Sequence, residues 1–248
     1  MKELFNKEKI LRNIDSSRLE LELYESTTST NDLCKKNAVK KDFLVISADK
    51  QTHGRGRQGK KWHSPSGNIC FSIAFMDKDP AMPLSLIAGV IAQKAISDAL
   101  GTNNIKLKWP NDLICNKKKI GGILVEKVSI GAKLKAIVGI GINLELDEKE
   151  SWWGDLSSFK SAKNIRNEIL NNLIKGFIDF KDGRLVDWMD DWNNNCCHMN
   201  MMIDIKNNNE IIEQGKFKGI NDKGALLLKT RNDLIEFEFG EISIEGIY

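Results

Sequence analysis

Four runs of strand-forming residues follow one another between residues 105 and 144, and no helical segment separates them. The runs are 105–109, 112–115, 123–128 and 136–144. A polar turn at 116–119 lies between the second and third runs, which predicts a hairpin over 112–128. Strands this close in sequence favour an antiparallel or mixed sheet and not a βαβ series.

Two earlier strands and two helices complete the larger part of the predicted fold. The runs 43–48 and 69–76 are short and rich in β-forming residues. A helix is predicted between Pro83, which suits a helix start, and Gly101, which suits a helix stop. From Ile165 onward apolar residues recur at helical spacing, which predicts a long amphipathic helix over one face of the sheet. The predicted class is therefore α+β.

After Asn195 the sequence pattern changes to short predicted strands that alternate with turns. The predicted strands are 202–205, 211–215, 216–220, 225–228 and 234–239, and the clearest turn is 221–224. A stretch of about fifty residues of this kind predicts a small all-β barrel. We therefore expect a large unit over 1–198 and the barrel over 199–248.

Composition narrows the class of protein. Of 248 residues, 41% are hydrophobic and 29% are charged, and the formal net charge of +3 is too mild for a general nucleic-acid binder. The first residues resemble no signal peptide, and no window approaches the roughly 18 apolar residues of a membrane span. We therefore expect a cytoplasmic protein. Five cysteines without C-x-x-C spacing predict neither disulfides nor zinc, and Cys196 and Cys197 are expected to be packing residues.

A basic glycine-rich loop occupies residues 54–62 (GRGRQGKKW). Its glycines allow backbone N–H groups to approach an anion, and its arginines offer planar forks of donors. The segment matches G-x-G-x-x-G, but the strand and helix that a dinucleotide site requires are missing from its flanks. A solvated basic loop or a nucleic-acid patch is the alternative interpretation.

Three further motifs accompany this loop. The hydroxyl-rich segment 26–32 predicts a helix cap at Thr30 or Asn31. In the segment 108–112 a proline ends a strand and places Asn111 and Asp112 at its mouth, although alone it could be only a turn. Glycines within the strand patterns of 119–126 and 138–143 indicate either close approach of a ligand or close packing on a helix.

These motifs, in this order, closely resemble those of the biotin protein ligases. The matching elements are the serine-threonine-asparagine segment, the glutamine before the loop, GRGRxGxxW, KWPND, KxxGGILVE and GxGIN. The resemblance covers about residues 24–145, with weaker support at 215–220 and 224–228. It implies a catalytic α+β domain related to class II aminoacyl-tRNA synthetases and lipoate ligases, followed by a barrel like Src-homology-3 domains.

The resemblance also implies a reaction in two steps. Biotin's carboxylate attacks the α-phosphate of ATP to give biotinyl-5′-AMP and pyrophosphate, and a carrier lysine then displaces AMP. Attack of an anion on a polyanion requires neutralisation of charge, so Arg55, Arg57 and Lys119 are the expected catalytic clamps, with Mg²⁺ bridging ATP oxygens. Ordering of the basic loop over the adenylate would exclude water and bring Arg57 and Trp62 into the site.

Site residues are carried over from the family motifs position by position. The expected biotin-binding residues are Ser29, Thr30, Asn31, Gln51, Arg55, Gly56, Arg57, Lys119, Gly122, Gly139 and Gly141. The expected ATP and adenylate residues are Arg57, Trp62, Asn111, Lys119 and Asn143. Asp112 is a candidate for binding the metal or for organising the incoming lysine. Trp152 or Trp153 is expected to pack on the adenine, and His53 is interpreted as a neutral loop residue in preference to a phosphate contact.

The expected partner is the biotin carboxyl carrier domain of acetyl-CoA carboxylase, and the ligase is expected to be a monomer or a homodimer. Only about two dozen residues precede the serine-threonine segment, so we expect no operator binding and no repressor activity; no membrane partner is expected either. Two alternatives remain open. A lipoate–protein ligase would share the fold and the adenylation chemistry, whereas a noncatalytic basic nucleic-acid-binding module would show no ATP turnover and a steep salt dependence of binding.

Overall fold

The computed structural model describes residues 3–147, 150–159, 164–207, 210–238 and 242–245. The helices of these residues are α1 (Lys7–Ile10), α2 (Thr30–Lys36), α3 (Leu84–Leu100), α4 (Arg166–Lys181) and α5 (Trp188–Asn195). The strands of the large sheet are β1 (Leu19–Thr27), β2 (Phe43–Gln51), β3 (Ile69–Asp77), β4 (Ile105–Lys108), β5 (Asp112–Cys115), β6 (Lys118–Ile130) and β7 (Lys133–Ile142). Those of the C-terminal sheet are β8 (Met202–Asn207), β9 (Glu210–Ile220), β10 (Leu226–Lys229), β11 (Leu234–Phe237) and β12 (Ile242–Glu245).

The large sheet has seven strands in the order β1-β2-β3-β7-β6-β5-β4. Only the edge pair β1 and β2, which α2 connects, is parallel among these neighbours; the other pairs are antiparallel. The predicted mixed sheet and the α+β class are thus confirmed.

The predicted hairpin is confirmed, but its second strand is longer than expected. Asn116 and Lys117 adopt φ of 50° and 61°, which is the left-handed geometry of a tight hairpin turn. β6 begins at Lys118 instead of residue 123 and includes Gly121 and Gly122. Neither lysine nor glycine favours strands, so pairing with β5 and β7 overrides local propensity here.

Both predicted helices pack against one face of the large sheet. α3 follows Pro83 and ends at Gly101, whose φ of 63° is left-handed, as expected for a helix stop. α4 buries its apolar stripe, including Leu173 and Phe177, in the main hydrophobic core. The expected cap of α2 was wrong by one residue, because the Ser29 hydroxyl accepts the hydrogen bond from the amide of Asp32.

The C-terminal sheet is antiparallel, in the order β11-β10-β9-β8-β12. The two strands predicted over 211–220 form the single strand β9, and of the run 234–239 residue 239 lies outside the described residues. The buried Trp109 joins this sheet to the large one, since its indole Nε1 donates to the carbonyl oxygen of Gly224 at 3.1 Å. A boundary at residue 198 stays a prediction, because one hydrophobic cluster includes core residues from both sheets.

All five cysteines are free thiols, and Cys197 is half-buried whereas the others are buried. Cys196 and Cys197 therefore pack as expected, without a disulfide. In the part of the chain that the structure describes, no helix combines the length and the hydropathy needed to cross a membrane.

Candidate active site

A cavity of about 690 Å³ lies where α2, the basic loop and the glycine-bearing strands β6 and β7 meet. This volume is in the range of small-molecule sites. The residues expected to bind biotin, ATP or the metal all line it, as do Trp152 and Trp153: Ser29, Thr30, Asn31, Gln51, Arg55, Gly56, Arg57, Trp62, Asn111, Asp112, Lys119, Gly122, Gly139, Gly141 and Asn143. The structure thus brings the predicted set together, while the role of each residue stays a prediction.

One end of the cavity is a network of neutral hydrogen-bonding groups. Gln51 Oε1 accepts from the backbone amide of Thr30 at 2.8 Å and from its hydroxyl at 3.1 Å. Gln51 Nε2 donates to Ser64 Oγ at 3.1 Å, and Ser72 Oγ lies 2.7 Å from Thr30 Oγ1. Uncharged donors and acceptors held this firmly suit a neutral ligand group with several polar atoms, such as a ureido ring.

Asn31 is fixed between β3 and β6. Its Oδ1 accepts from Ser72 Oγ at 2.6 Å, and its Nδ2 donates to Glu126 Oε2 at 2.7 Å. A Cβ added to Gly139 would lie 2.3 Å from Asn31 Oδ1, so only glycine lets this side chain approach the strand. Gly139 therefore makes room for Asn31, and its expected contact with the ligand stays a prediction.

Gly141 does the same for Trp62 at the base of the basic loop, whereas a Cβ on Gly122 would make only an ordinary contact with that ring. A Cβ on Gly141 would lie 2.5 Å from the indole Cε2, and one on Gly122 would lie 3.5 Å from the indole Cζ3. The glycine-bearing strands thus admit a whole indole ring against the backbone. Side chains of Asn31 and Trp62 occupy the space beside Gly139 and Gly141, and contact of these glycines with a ligand stays a prediction.

The basic loop is itself a small hairpin. The Gly56 amide donates to the carbonyl of Lys60 at 2.7 Å, and the Trp62 amide donates to the carbonyl of Gly54 at 2.9 Å. At the tip, Gln58 has a φ of 54° and Gly59 a φ of 72°. Two hydrogen bonds between its own backbone groups therefore hold the loop in this shape.

Arg55 ties this loop to α2. Its Nη1 and Nη2 atoms each donate to an oxygen of Asp32 at 2.6 Å, a bidentate pair. The hydrogen bond to Arg55 lowers the pKa of Asp32, and the same contact raises the pKa of Arg55. Because both terminal nitrogens already bind a carboxylate, the expected clamp on a ligand anion stays a prediction for this residue.

Arg57 and Lys119 are the two other nominated cations of the cavity, which Lys60, Lys61 and Lys108 also line. Burial lowers the pKa of Arg57, and the negative charge of Asp112 opposes that effect. Lys119 Nζ lies 2.5 Å from Asp112 Oδ1 and 5.7 Å from the centre of the Trp62 ring. Cations in a half-buried site attract polyanions more strongly than cations in open water.

A metal ion would have few protein ligands in this cavity. Asp112 is the one carboxylate among the described lining residues. No group of three or more metal-ligating side chains occurs in the described part of the chain. Any ion here would therefore need most of its oxygen ligands from a bound substrate.

Asn143, Trp152 and Trp153 line the cavity next to Lys119, whose backbone amide donates to the carbonyl of Trp152 at 3.1 Å. Asn143 Nδ2 donates to the carbonyl of Gly154 at 3.0 Å, which fixes the segment carrying Trp152 and Trp153. The Trp153 ring stacks on His63 with 5.8 Å between centroids and 16° between planes, whereas Trp152 is 41% exposed. Asn111 is less available, since its Nδ2 donates to the carbonyl of Ile123 at 2.8 Å.

Several residues of the site were missed from the sequence. Ser64 and His63 directly follow the basic loop, and that adjacency could have drawn attention to them. Asp32 and Glu126 lie within the singled-out segments 26–32 and 119–126 but were not nominated, and Ser72 lies in no motif. All three bond the predicted residues through tertiary contacts. His53, by contrast, is exposed beside Thr52 and does not line the cavity, in keeping with a loop residue.

Comparison with known proteins shows which family models and relatives the chain matches. The family model of the biotin/lipoate A/B protein ligase family matches residues 23–143, and that of the biotin protein ligase C terminal domain matches residues 200–244. The bifunctional ligase/repressor BirA of Bacillus spizizenii is 30% identical over 242 residues, covering 90% of this chain and 72% of the relative. BirA of Escherichia coli is 30% identical over 213 residues, covering 80% of this chain and 65% of the relative.

A solved structure gives the same result in three dimensions. The biotin protein ligase from Aquifex aeolicus in complex with biotin and ATP superposes with a TM-score of 0.76 at 26% identity, covering 91% of this chain and 98% of that one. The fold and the cavity therefore define the class, a biotin/lipoate ligase-type catalytic domain followed by a small antiparallel sheet. Within that class, the chain belongs to the biotin protein ligase family and has that family's enzyme class, biotin–protein ligase. It spans about two thirds of the length of the Escherichia coli relative.

Proposed function

We propose that this protein attaches biotin to a lysine of the biotin carboxyl carrier domain of acetyl-CoA carboxylase, through biotinyl-5′-AMP. The observation that carries the proposal is one cavity with two chemically distinct ends. The neutral network of Thr30 and Gln51 suits a ureido ring, and the cations Arg57 and Lys119 suit a carboxylate and phosphates. The relative from Paracoccus denitrificans named biotin–[acetyl-CoA-carboxylase] ligase, 35% identical over 105 residues, supports the choice of acceptor.

In the first step, a carboxylate oxygen of biotin attacks the α-phosphorus of ATP, and the bond to the pyrophosphate oxygen breaks. Both reactants are anions, so the main requirement is neutralisation of charge. Lys119 and Arg57 supply the neutralising positive charge at the cationic end. An arriving phosphate would compete there with Asp112 for Lys119. Closure of residues 54–62 around Trp62 would keep water from the mixed anhydride.

In the second step, the neutral amine of the carrier lysine attacks the acyl carbon of the adenylate. The bond from that carbon to the phosphate oxygen breaks, AMP leaves, and the amine loses one proton as the amide forms. A lysine with an unperturbed pKa of about 10.4 is mostly protonated at neutral pH. Asp112, the carboxylate of the lining, is the candidate to orient the incoming ammonium group.

The residues present fit a magnesium ion that substrate phosphates hold for the most part. Mg²⁺ is commonly bound through one or two carboxylates together with substrate phosphates, and Asp112 would supply one. When bound, the ion would neutralise part of the phosphate charge.

The decisive experiment is transfer of labelled biotin to a biotin carboxyl carrier domain, with and without MgATP, and with lipoate as the parallel substrate. A carrier whose acceptor lysine is replaced by arginine is the control. Biotin transfer that requires MgATP and the acceptor lysine is the expected result. Transfer of lipoate alone would move the protein to the sister ligases, and transfer of neither would favour the binding-module alternative.

Absence of repressor activity stays a prediction beside this proposal, as do a cytoplasmic location and a monomeric or homodimeric state. A mobility-shift assay with a biotin-operon promoter fragment and a scrambled fragment tests the first of these. Equal, weak retention of both fragments is expected. Sequence-specific retention would show that the chain shares the repressor role named for its BirA relatives.

A further inference from the structure

Lys135 on β7 is a buried lysine that no part of the proposed chemistry uses. Lys135 is only 2% exposed to solvent. Its Nζ donates to three carbonyl oxygens, those of Cys34 at 2.8 Å, Lys35 at 2.8 Å and Asn37 at 3.1 Å. All three ammonium hydrogens therefore have acceptors, and all three acceptors belong to the C-terminal end of α2.

This contact replaces a cap that α2 lacks in its own sequence. The last carbonyls of a helix have no partner within the helix, and a glycine in the left-handed conformation often closes such an end. Here the residue after the helix is Asn37 in an extended conformation, with φ of −87° and ψ of 143°. A lysine beside the carbonyl end also favours the helix dipole. Since α2 has only seven residues, it depends on such tertiary support.

The same face of β7 holds the other end of α2. Residues 135, 137 and 139 alternate onto one face of the strand. Lys135 binds the C-terminal carbonyls, Ile137 shares a buried cluster with Cys34, and Gly139 receives the side chain of Asn31. β7 thus contacts α2 at its end, its middle and its start.

We propose that Lys135 is a positioning residue of the biotin site, which sets the location of Thr30 and Asn31 by holding the opposite end of their helix. The inference rests on the proposed function, in which these two residues meet biotin. A helix of seven residues is about 10 Å long, so a tilt at one end moves the other. Loss of the lysine contact would displace Thr30 from Gln51 and Asn31 from Glu126.

The test is the variant Lys135→Met, which keeps the length of the side chain and removes its donors. The KM for biotin is expected to rise about tenfold, a free-energy change of about 1.4 kcal/mol, while the KM for ATP and the kcat at saturating biotin stay within about twofold. The variant Lys135→Gln retains one donor group, and its KM for biotin is expected to lie between those of the wild type and Lys135→Met. If the methionine variant does not fold, the glutamine variant carries the comparison.

Two controls separate positioning from general loss of stability. Lys41→Met removes another lysine that donates to backbone carbonyls, those of Ser16 at 2.9 Å and Leu19 at 3.1 Å, away from the cavity. Leu170→Ala in α4 removes a core side chain and lowers stability without touching α2. Neither variant is expected to change the ratio of the biotin KM to the ATP KM.

The outcomes distinguish this inference from the proposed function. A wild-type protein that transfers biotin, with Lys135 variants whose two KM values match those of the controls, would overturn the positioning role alone. Equal increases in both KM values would identify Lys135 as a general stabilising residue and would also overturn it. A wild-type protein that neither binds nor transfers biotin would instead remove the proposed function.

Discussion

At the scale of single residues, Gly139 is the most constrained position of the site. In the variant Gly139→Ala the new methyl would lie 2.3 Å from Asn31 Oδ1, so Asn31 must leave its bonds to Ser72 and Glu126. We expect biotin affinity to fall at least tenfold, since an ordinary hydrogen bond contributes about 1 kcal/mol and more than one is disturbed. Isothermal titration with biotin measures this change.

The matched control for this variant is Gly89→Ala in α3. There an added Cβ would meet Leu107 at 3.4 Å and Ile123 at 3.7 Å, both ordinary contacts, at a buried helical position that does not itself line the cavity. Biotin affinity within twofold of wild type is expected for the control. A Gly139→Ala protein that binds biotin as tightly as this control would contradict the assigned role of Asn31.

Lys119 is the residue most directly tied to the first chemical step. Lys119→Gln removes the positive charge and, with it, the ion pair to Asp112 at 2.5 Å. We expect pyrophosphate release to slow by about 10²–10³-fold, the usual effect of removing one preorganised stabilising group. The exposed neighbour variant Lys118→Gln should release pyrophosphate at nearly the wild-type rate. An unaltered rate in Lys119→Gln would exclude this residue from the mechanism.

At the scale of secondary-structure elements, His198 forms an acid-sensitive contact between α5 and β9. Its ring packs edge-on against Phe217 with centroids 4.2 Å apart, and its Nε2 has no hydrogen-bond partner among the described residues. Burial lowers the pKa of His198 from 6.5 to about 3. The unfolded chain therefore binds a proton between these pH values that the folded protein does not bind, and acid favours unfolding.

The expected result is a free energy of unfolding that falls as the pH decreases from 6.5 towards 3. The contribution of this one group is at most about 1.4 kcal/mol per pH unit. Urea unfolding at pH 7, 6 and 5 measures it, and His198→Gln should flatten the dependence because it removes the titrating ring. The exposed variant His53→Gln should keep the wild-type slope. Equal slopes in all three proteins would show that another group governs acid stability.

At the scale of the whole molecule, Trp109 couples the two sheets. Trp109 is 1% exposed, and its indole donates to the carbonyl of Gly224 at 3.1 Å. Trp109 lines the cavity, and so does Ile244, which belongs to the C-terminal sheet. Trp109→Phe removes the donor and leaves a buried carbonyl without its partner. We expect a loss of about 1–3 kcal/mol in the free energy of unfolding, measured in urea. The control is Trp188→Phe, at a half-buried position of α5. An equal loss of unfolding free energy in that variant would contradict the coupling of the two sheets by Trp109.

Local sequence patterns were sufficient to predict the elements whose ends or buried faces are determined by nearby residues. The stop of α3 at Gly101, the turn at Asn116 and the apolar stripe of α4 each depend on neighbours within a few residues. β1 and α5 were missed for the opposite reason. β1 alternates leucine and glutamate before its polar end, and α5 buries only Trp192, so neither carries a strong local signal.

The sequence motifs, through their resemblance to those of the biotin protein ligases, were sufficient to name residues that line the cavity. Tertiary structure alone decided how those residues bond to one another. Asn31 meets Gly139, Arg55 meets Asp32, and Lys135 meets the end of α2 across many intervening residues. The contacts of Asn31 and Lys135 depend on the pairing register of β3, β6 and β7, and a shift of one residue would turn every side chain of a strand to the other face. Pairing of distant segments sets that register, so no local pattern contains it.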